Sequence, residues 1–97
     1  MRAMKLEPNK LPCIVDIDND LHALQQAVGG RIETVGLKDG GVMIVDEEGL
    51  LKQYSRNDLA SIISGRHIYG TALIVGADGD DFDDVSGDYF VYLELNE

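Results

Sequence analysis

Six aspartates, Asp78, Asp80, Asp81, Asp83, Asp84 and Asp88, crowd into the run ADGDDFDDVSGD near the end of the chain. Carboxylates this dense can gather a hard cation, dock the cationic groups of a partner, or simply stay hydrated. The run has no loop-turning glycine in the register of a calcium-binding loop, so it is read as a partner-binding surface, with plain solvation as the competing account. Asp16, Asp18 and Asp20 match the first three acidic positions of such a loop. The match then fails, because Leu21 stands where the glycine belongs and Ala27 where a bidentate Glu belongs. No metal site is expected.

Other chemistry finds less support. His22 and His67 have no HExxH or CxxC neighbours. Cys13 is the single cysteine and is read as a small buried apolar residue. Ser55, Ser61, Ser64 and Ser86 lack the strand-to-helix elbow of an activated serine. Glu47 and Glu48 suit a solvated turn, and no GxGxxG or GxxxxGK run cradles a phosphate. No catalytic residue and no cofactor are therefore expected, and the chain is read as a non-enzyme. The alternative is a small-ligand binder or enzyme with a pocket near the Gly29-Gly30 turn and Glu33.

The formal net charge of -10 is unevenly placed. Residues 1–66 carry all eight Lys and Arg residues against ten acids, whereas residues 67–97 carry eight acids and no Lys or Arg. Such a field repels phosphates and anionic membranes and attracts basic partners. Direct nucleic-acid binding and membrane binding are excluded on that ground. The expected partner is a protein that is basic or itself binds nucleic acid, and a sharper form of the idea has the six aspartates stand in for DNA phosphates. At 97 residues the chain fits one small domain. One cysteine, no signal-like N-terminus and no long apolar run point to the cytoplasm.

The stretch from Ile17 to Leu37 positions the rest. Asp18, Asn19 and Asp20 supply capping oxygens, and Leu21, Leu24 and Val28 recur at helical spacing, flanked by Ala23 and Ala27. The helix 19–28 should stop at Gly29 or Gly30, where a left-handed backbone costs little. Strands are expected at Met4–Leu6, Leu11–Ile17, Arg31–Leu37 and Val42–Val45, the last buried on both faces. Lys38-Asp39-Gly40-Gly41 signals a hairpin turn. Leu50, Leu51 and Tyr54 should return the chain to the core, and Ser55 or Asn57 should cap a short helix near 58–63. His67–Gly76 reads as a strand in which Gly70 marks a bulge or a close backbone approach. Residues 77–88 read as a mobile acidic loop, and Tyr89–Leu95 as a strand with a short helix as the alternative.

Three blocks of the chain resemble a known family. Val28-Gly29-Gly30-Arg31-Ile32-Glu33-Thr34-Val35, Val45-Asp46-Glu47-Glu48-Gly49-Leu50-Leu51 and Ile68-Tyr69-Gly70-Thr71-Ala72-Leu73-Ile74-Val75-Gly76 are similar, in order and spacing, to the small acidic proteins of phages and conjugative elements grouped as domain of unknown function DUF3846. The likeness covers most of residues 4–80. Two departures stand out: Arg56-Asn57 replaces the family's usual Asn-Arg step, and the C-terminal part is Asp-rich and then strand-prone where relatives look helical. The resemblance implies a mobile-element setting in a bacterial host and an α+β fold, and supplies no catalytic residues. The expected architecture is a single α+β domain with a mostly antiparallel sheet of about five strands. Helices 19–28 and 58–63 would cover one face, and an open edge would be suited to a homodimer.

Overall fold

Two segments in the middle of the sequence are apolar at nearly every position, and a strand of that kind needs a layer on each side of its sheet. The computed structural model, which describes residues 1–96, places them at the centre as β4 (Val42–Asp46) and β5 (Ala72–Asp78). Around them run β1 (Arg2–Leu6), β2 (Cys13–Asp16), α1 (Leu21–Val28), β3 (Ile32–Gly36), α2 (Asp58–Ser64), β6 (Asp81–Asp83) and a C-terminal 3₁₀ segment, Gly87–Asn96. The sheet has six strands in the order β2-β1-β5-β4-β3, with β6 also paired to β5, and every pairing is antiparallel. The fold is therefore α+β.

Alternation along the central strands divides the core into two layers. Met43, Val45, Ala72 and Ile74 face one side with Met4, Leu6, Ala60 of α2 and Tyr89 of the 3₁₀ segment. Ile44, Leu73 and Val75 face the other side with Ala3 and with Leu24 and Val28 of α1. The two helices thus lie on opposite faces, where one shared face was expected. A double-faced β4 already required this, since a sheet bare on one side would leave Ile44 and Leu73 in water. Burying Leu24 and Val28 contributes about 1.5–3 kcal/mol each.

Local signals set the helix bounds. Asp20 accepts the Ala23 N–H at 2.8 Å, so it is the cap and α1 begins at Leu21, two residues later than expected. Gly29 closes α1 at φ 102°, and both Gly29 and Gly30 donate their N–H to the Gln25 carbonyl. Asn57 caps α2 through the Ala60 N–H at 3.2 Å.

Several expectations need correction. Residues 77–88 are no simple loop: β5 continues to Asp78, turns at Gly79-Asp80 and returns as β6, with Ala77 opposite Phe82 and Phe82 packed on the α1 layer. One half-buried aromatic is enough to seat a short hairpin whose other side is hydrated. Tyr89–Leu95 lies in the 3₁₀ segment, the helical alternative and not the strand, and Tyr89 is buried in the α2 layer. Cys13 is exposed on the edge strand β2. Leu50 and Leu51 are 67% and 78% exposed and do not return to the core. No helix among the described residues is long and apolar enough to cross a membrane.

Candidate functional site

Each of the three family-like blocks contributes a glycine or carboxylate to one corner of the molecule, at the C-terminal end of α1. Asp46, the last residue of β4, has a fully buried side chain. Its Oδ2 accepts from Lys52 Nζ at 2.8 Å and its Oδ1 from the Glu48 N–H at 2.8 Å. Burial pushes the Asp46 carboxyl up, but the Lys52 ammonium, the Glu48 N–H and the Tyr54 hydroxyl outweigh it and hold the group below the ordinary carboxylate range. Lys52 is correspondingly raised, chiefly by its hydrogen bond to Asp46. The same Nζ donates to the Gly29 carbonyl at 3.0 Å, tying this pair to the end of α1.

The glycines are explained by what stands over them. A Cβ on Gly29 would lie 2.7 Å from the Tyr54 hydroxyl, and one on Gly70 would lie 2.5 Å from Tyr54 Cδ2. A Cβ on Gly30 would run into Lys52 Nζ and come within 3.1 Å of Asp46 Oδ2. The Tyr54 ring therefore spans from Gly29 to Gly70, fixed at both ends, and φ of +87° at Gly70 makes glycine doubly required. Gln53, the residue before Tyr54, is held at φ 61°, a conformation that side chains other than Asn and Asp rarely adopt. The corner is built tightly.

Beside this knot opens a cleft of about 400 Å³ between the end of α1, Pro8-Asn9, Tyr54-Ser55 and Gly70-Thr71. Of the residues expected to form a pocket, only Gly29 lines it. Gly30 lies behind, against Lys52 and Asp46. Glu33 sits on β3 and opens into a different hollow of about 240 Å³ with Val45, Leu50, His67 and Tyr69. Gly29, Gly30 and Glu33 therefore do not make one site. The reason is sheet parity: Glu33 shares the β3 face of Val35, which packs in the α2 layer, whereas Gly29 ends the helix on the opposite layer. At that second hollow His67 Nδ1 accepts from Arg56 Nη1 at 2.6 Å, and Arg56 Nε also reaches Asp58 at 3.2 Å.

The six aspartates do come together in space. Asp78, Asp80, Asp81, Asp83, Asp84 and Asp88 are all exposed, on the β5–β6 hairpin and the segment after it. Among the described residues none of them forms a salt bridge. Asp78 stands directly opposite Asp81 across the hairpin, and Asp83 lies on the same side as both. The region is tethered to the sheet: Asp84 Oδ1 accepts the Arg2 N–H at 2.7 Å, Val85 N–H donates to the Arg2 carbonyl at 2.8 Å, and Asn19 Nδ2 donates to the Phe82 carbonyl at 3.0 Å. Asp83, Asp84 and Asp88 also line a shallow hollow with Asp39. There the Tyr89 hydroxyl donates to Asp39 at 2.6 Å, which with the Gly41 N–H holds the Asp39 carboxyl below its ordinary value. No group of three or more His, Cys, Asp or Glu residues among those described is arranged to hold a metal ion.

Sequence reasoning read Asp46 as part of a turn and Tyr54 as a core residue, and gave Lys52 no role. The available signal was an acid ending an otherwise apolar strand, a position that demands a cation or several N–H donors nearby.

A crystal structure of the small RNA methyltransferase HEN1 has a segment of similar fold, with a TM-score of 0.72 at 16% identity, covering 98% of this chain and 16% of that one. The likeness shows a shared fold. No curated protein matches the chain in sequence. The family described as domain of unknown function (DUF3846) matches residues 1–94, and the chain belongs to it.

Proposed function

We propose that this protein is a non-catalytic interaction module of a phage or mobile genetic element, acting in the bacterial cytoplasm, that docks a basic or nucleic-acid-binding protein on its acidic hairpin. The observation that carries the reading is the pairing of Asp78 with Asp81, with Asp83 beside them, unpaired by any cation of the described chain. Like charges directly opposite one another on adjacent strands destabilise a hairpin, and a partner's Lys or Arg side chains would relieve that repulsion. Carboxylates held on a tethered hairpin also suit mimicry of a phosphate row better than a floppy loop does. Although the structural neighbour is named for small RNA, the acidic surface here opposes direct contact with RNA. The exposed edges β2 and β3 would permit a homodimer by strand pairing.

The test is capture from bacterial lysate on the immobilised protein, at about 0.1 M and about 1 M salt, where screening differs about threefold in length. The expected result is a basic protein that is lost at high salt, is displaced by duplex DNA and is not captured when all six aspartates are replaced by Ser. Equal capture by a folded six-Ser variant refutes the proposal.

The cleft beside Gly29 favours a second reading, a small-ligand site, because its volume of about 400 Å³ falls within the range of ligand pockets.

A further inference from the structure

We propose that the cleft at the end of α1 takes a neutral, planar heterocycle bearing N–H donors, of the nucleobase class. This rests on the small-ligand reading and adds the ligand's chemistry. Charged residues make up 27% of the chain, yet no Asp, Glu, Lys, Arg or His lines the cleft, so a charged ligand would find no counter-charge on its walls. What lines it is hydrogen-bonding and uncharged. The side chains of Asn9, Gln26 and Ser55, which are exposed, and of half-buried Thr71 make no hydrogen bond within the described residues, so their donors and acceptors are free for a ligand.

The end of the helix adds acceptors. Gly30 N–H bonds to the Gln25 carbonyl already taken by Gly29, so the Gln26 carbonyl loses the donor that a continuing helix would give it. Free carbonyls at the negative pole of α1 favour N–H groups on a ligand. A flat ligand suits these walls: the Tyr54 ring is held between Gly29 and Gly70, and both glycines bring bare backbone to the cleft. The amides of Asn9 and Gln26 are the group type that pairs two-fold with the amino and ring-nitrogen edge of adenine. A phosphate on the ligand would meet no cation among the lining residues, the adjacent Lys52 ammonium being engaged by Asp46 and the Gly29 carbonyl, and would be repelled by the net charge of -10.

The test is a titration of the ¹⁵N-labelled protein with adenosine, AMP and glucose, followed by amide shifts. Adenosine is expected to move Gly29, Gly70 and Thr71 saturably and to bind about tenfold more tightly than AMP. Asn9→Gly keeps the φ 61° backbone and Gln26→Ala keeps the helix, and each should weaken adenosine by about tenfold. Saturable binding of glucose without adenosine, or of AMP as tightly as adenosine, overturns the ligand class while leaving a small-ligand cleft. Silence at Gly29, Gly70 and Thr71 with all three probes overturns both.

Discussion

Replacing Asn57 with Ala should cost about 3–7 kcal/mol, which is a large share of the roughly 5–15 kcal/mol by which a domain of this size is stable. The side chain is 2% exposed and its polar atoms are in use. Nδ2 donates to the Leu6 carbonyl at 2.9 Å and to the Gly70 carbonyl at 2.9 Å, while Oδ1 accepts the Ala60 N–H at 3.2 Å. Loss of the cap costs about 1 kcal/mol. Each buried carbonyl left without its donor costs about 1–3 kcal/mol. With a urea slope of about 1–2 kcal/mol per M for a small domain, the unfolding midpoint should fall by at least about 1.5 M at unchanged slope. Asn57→Asp separates the two contributions, because it keeps the capping oxygen, removes both donors and sets a carboxylate against two carbonyls. It should be at least as destabilising as Asn57→Ala at neutral pH. The carboxyl's folded pKa would be raised, so its penalty is present above the unfolded value and fades as pH falls toward about 4. A loss below about 1 kcal/mol for Asn57→Ala would refute the idea that this residue staples β1 to the cleft wall at Gly70.

Gly70→Ala should destabilise by about 2–4 kcal/mol, from the left-handed backbone and the crowding of Tyr54. The double variant with Tyr54→Leu should recover part of that, and strict additivity in chemical denaturation would count against the contact. Asp39 and Asp46 have lowered folded pKa values, so the stability they supply is present above the ordinary carboxylate range and lost as pH falls below about 4. Asp39→Asn should flatten the acid limb of a stability profile, and an unchanged limb would dismiss the Tyr89–Asp39 bond as a contributor. Tyr89 is pushed well above the ordinary tyrosine value by burial and by Asp39. Tyr89→Phe should therefore remove a late-ionising group from an alkaline absorbance titration, and loss of a group that ionises near pH 10 instead would contradict this.

Local signals were readable because they act over a few residues. Asp20, Gly29 and Asn57 each sit at a helix end, and chain chemistry alone marks them. The double-faced character of β4 and β5 was also visible in Val42–Val45 and Leu73–Val75, and it should have placed α1 and α2 on opposite layers. What escaped was contact across distance. Nothing near Lys52 announces Asp46 and the Gly29 carbonyl as its partners, and nothing in the acidic run says that Phe82 can seat it on the α1 layer. The supposed pocket of Gly29, Gly30 and Glu33 failed for a related reason: neighbours in sequence were divided by the two-residue period of β3. Of the six aspartates, their exposure and proximity followed from composition, whereas the opposition of Asp78 and Asp81 depended on a turn at Gly79-Asp80 that the sequence left open.

Strand β1 lies between β2 and β5, with Met4 opposite Ile74. While the ribosome is still making the second half of the chain, β1 has β2 alone for company, and one of its edges waits for a strand some seventy residues away. Such a long closure slows assembly and leaves Met4 and Leu6 temporarily without their covering layer. Nascent chains stalled before residue 72 should for that reason be the species that chaperones hold and that self-associate, while those released once β5 is complete at Asp78 collapse into the sheet.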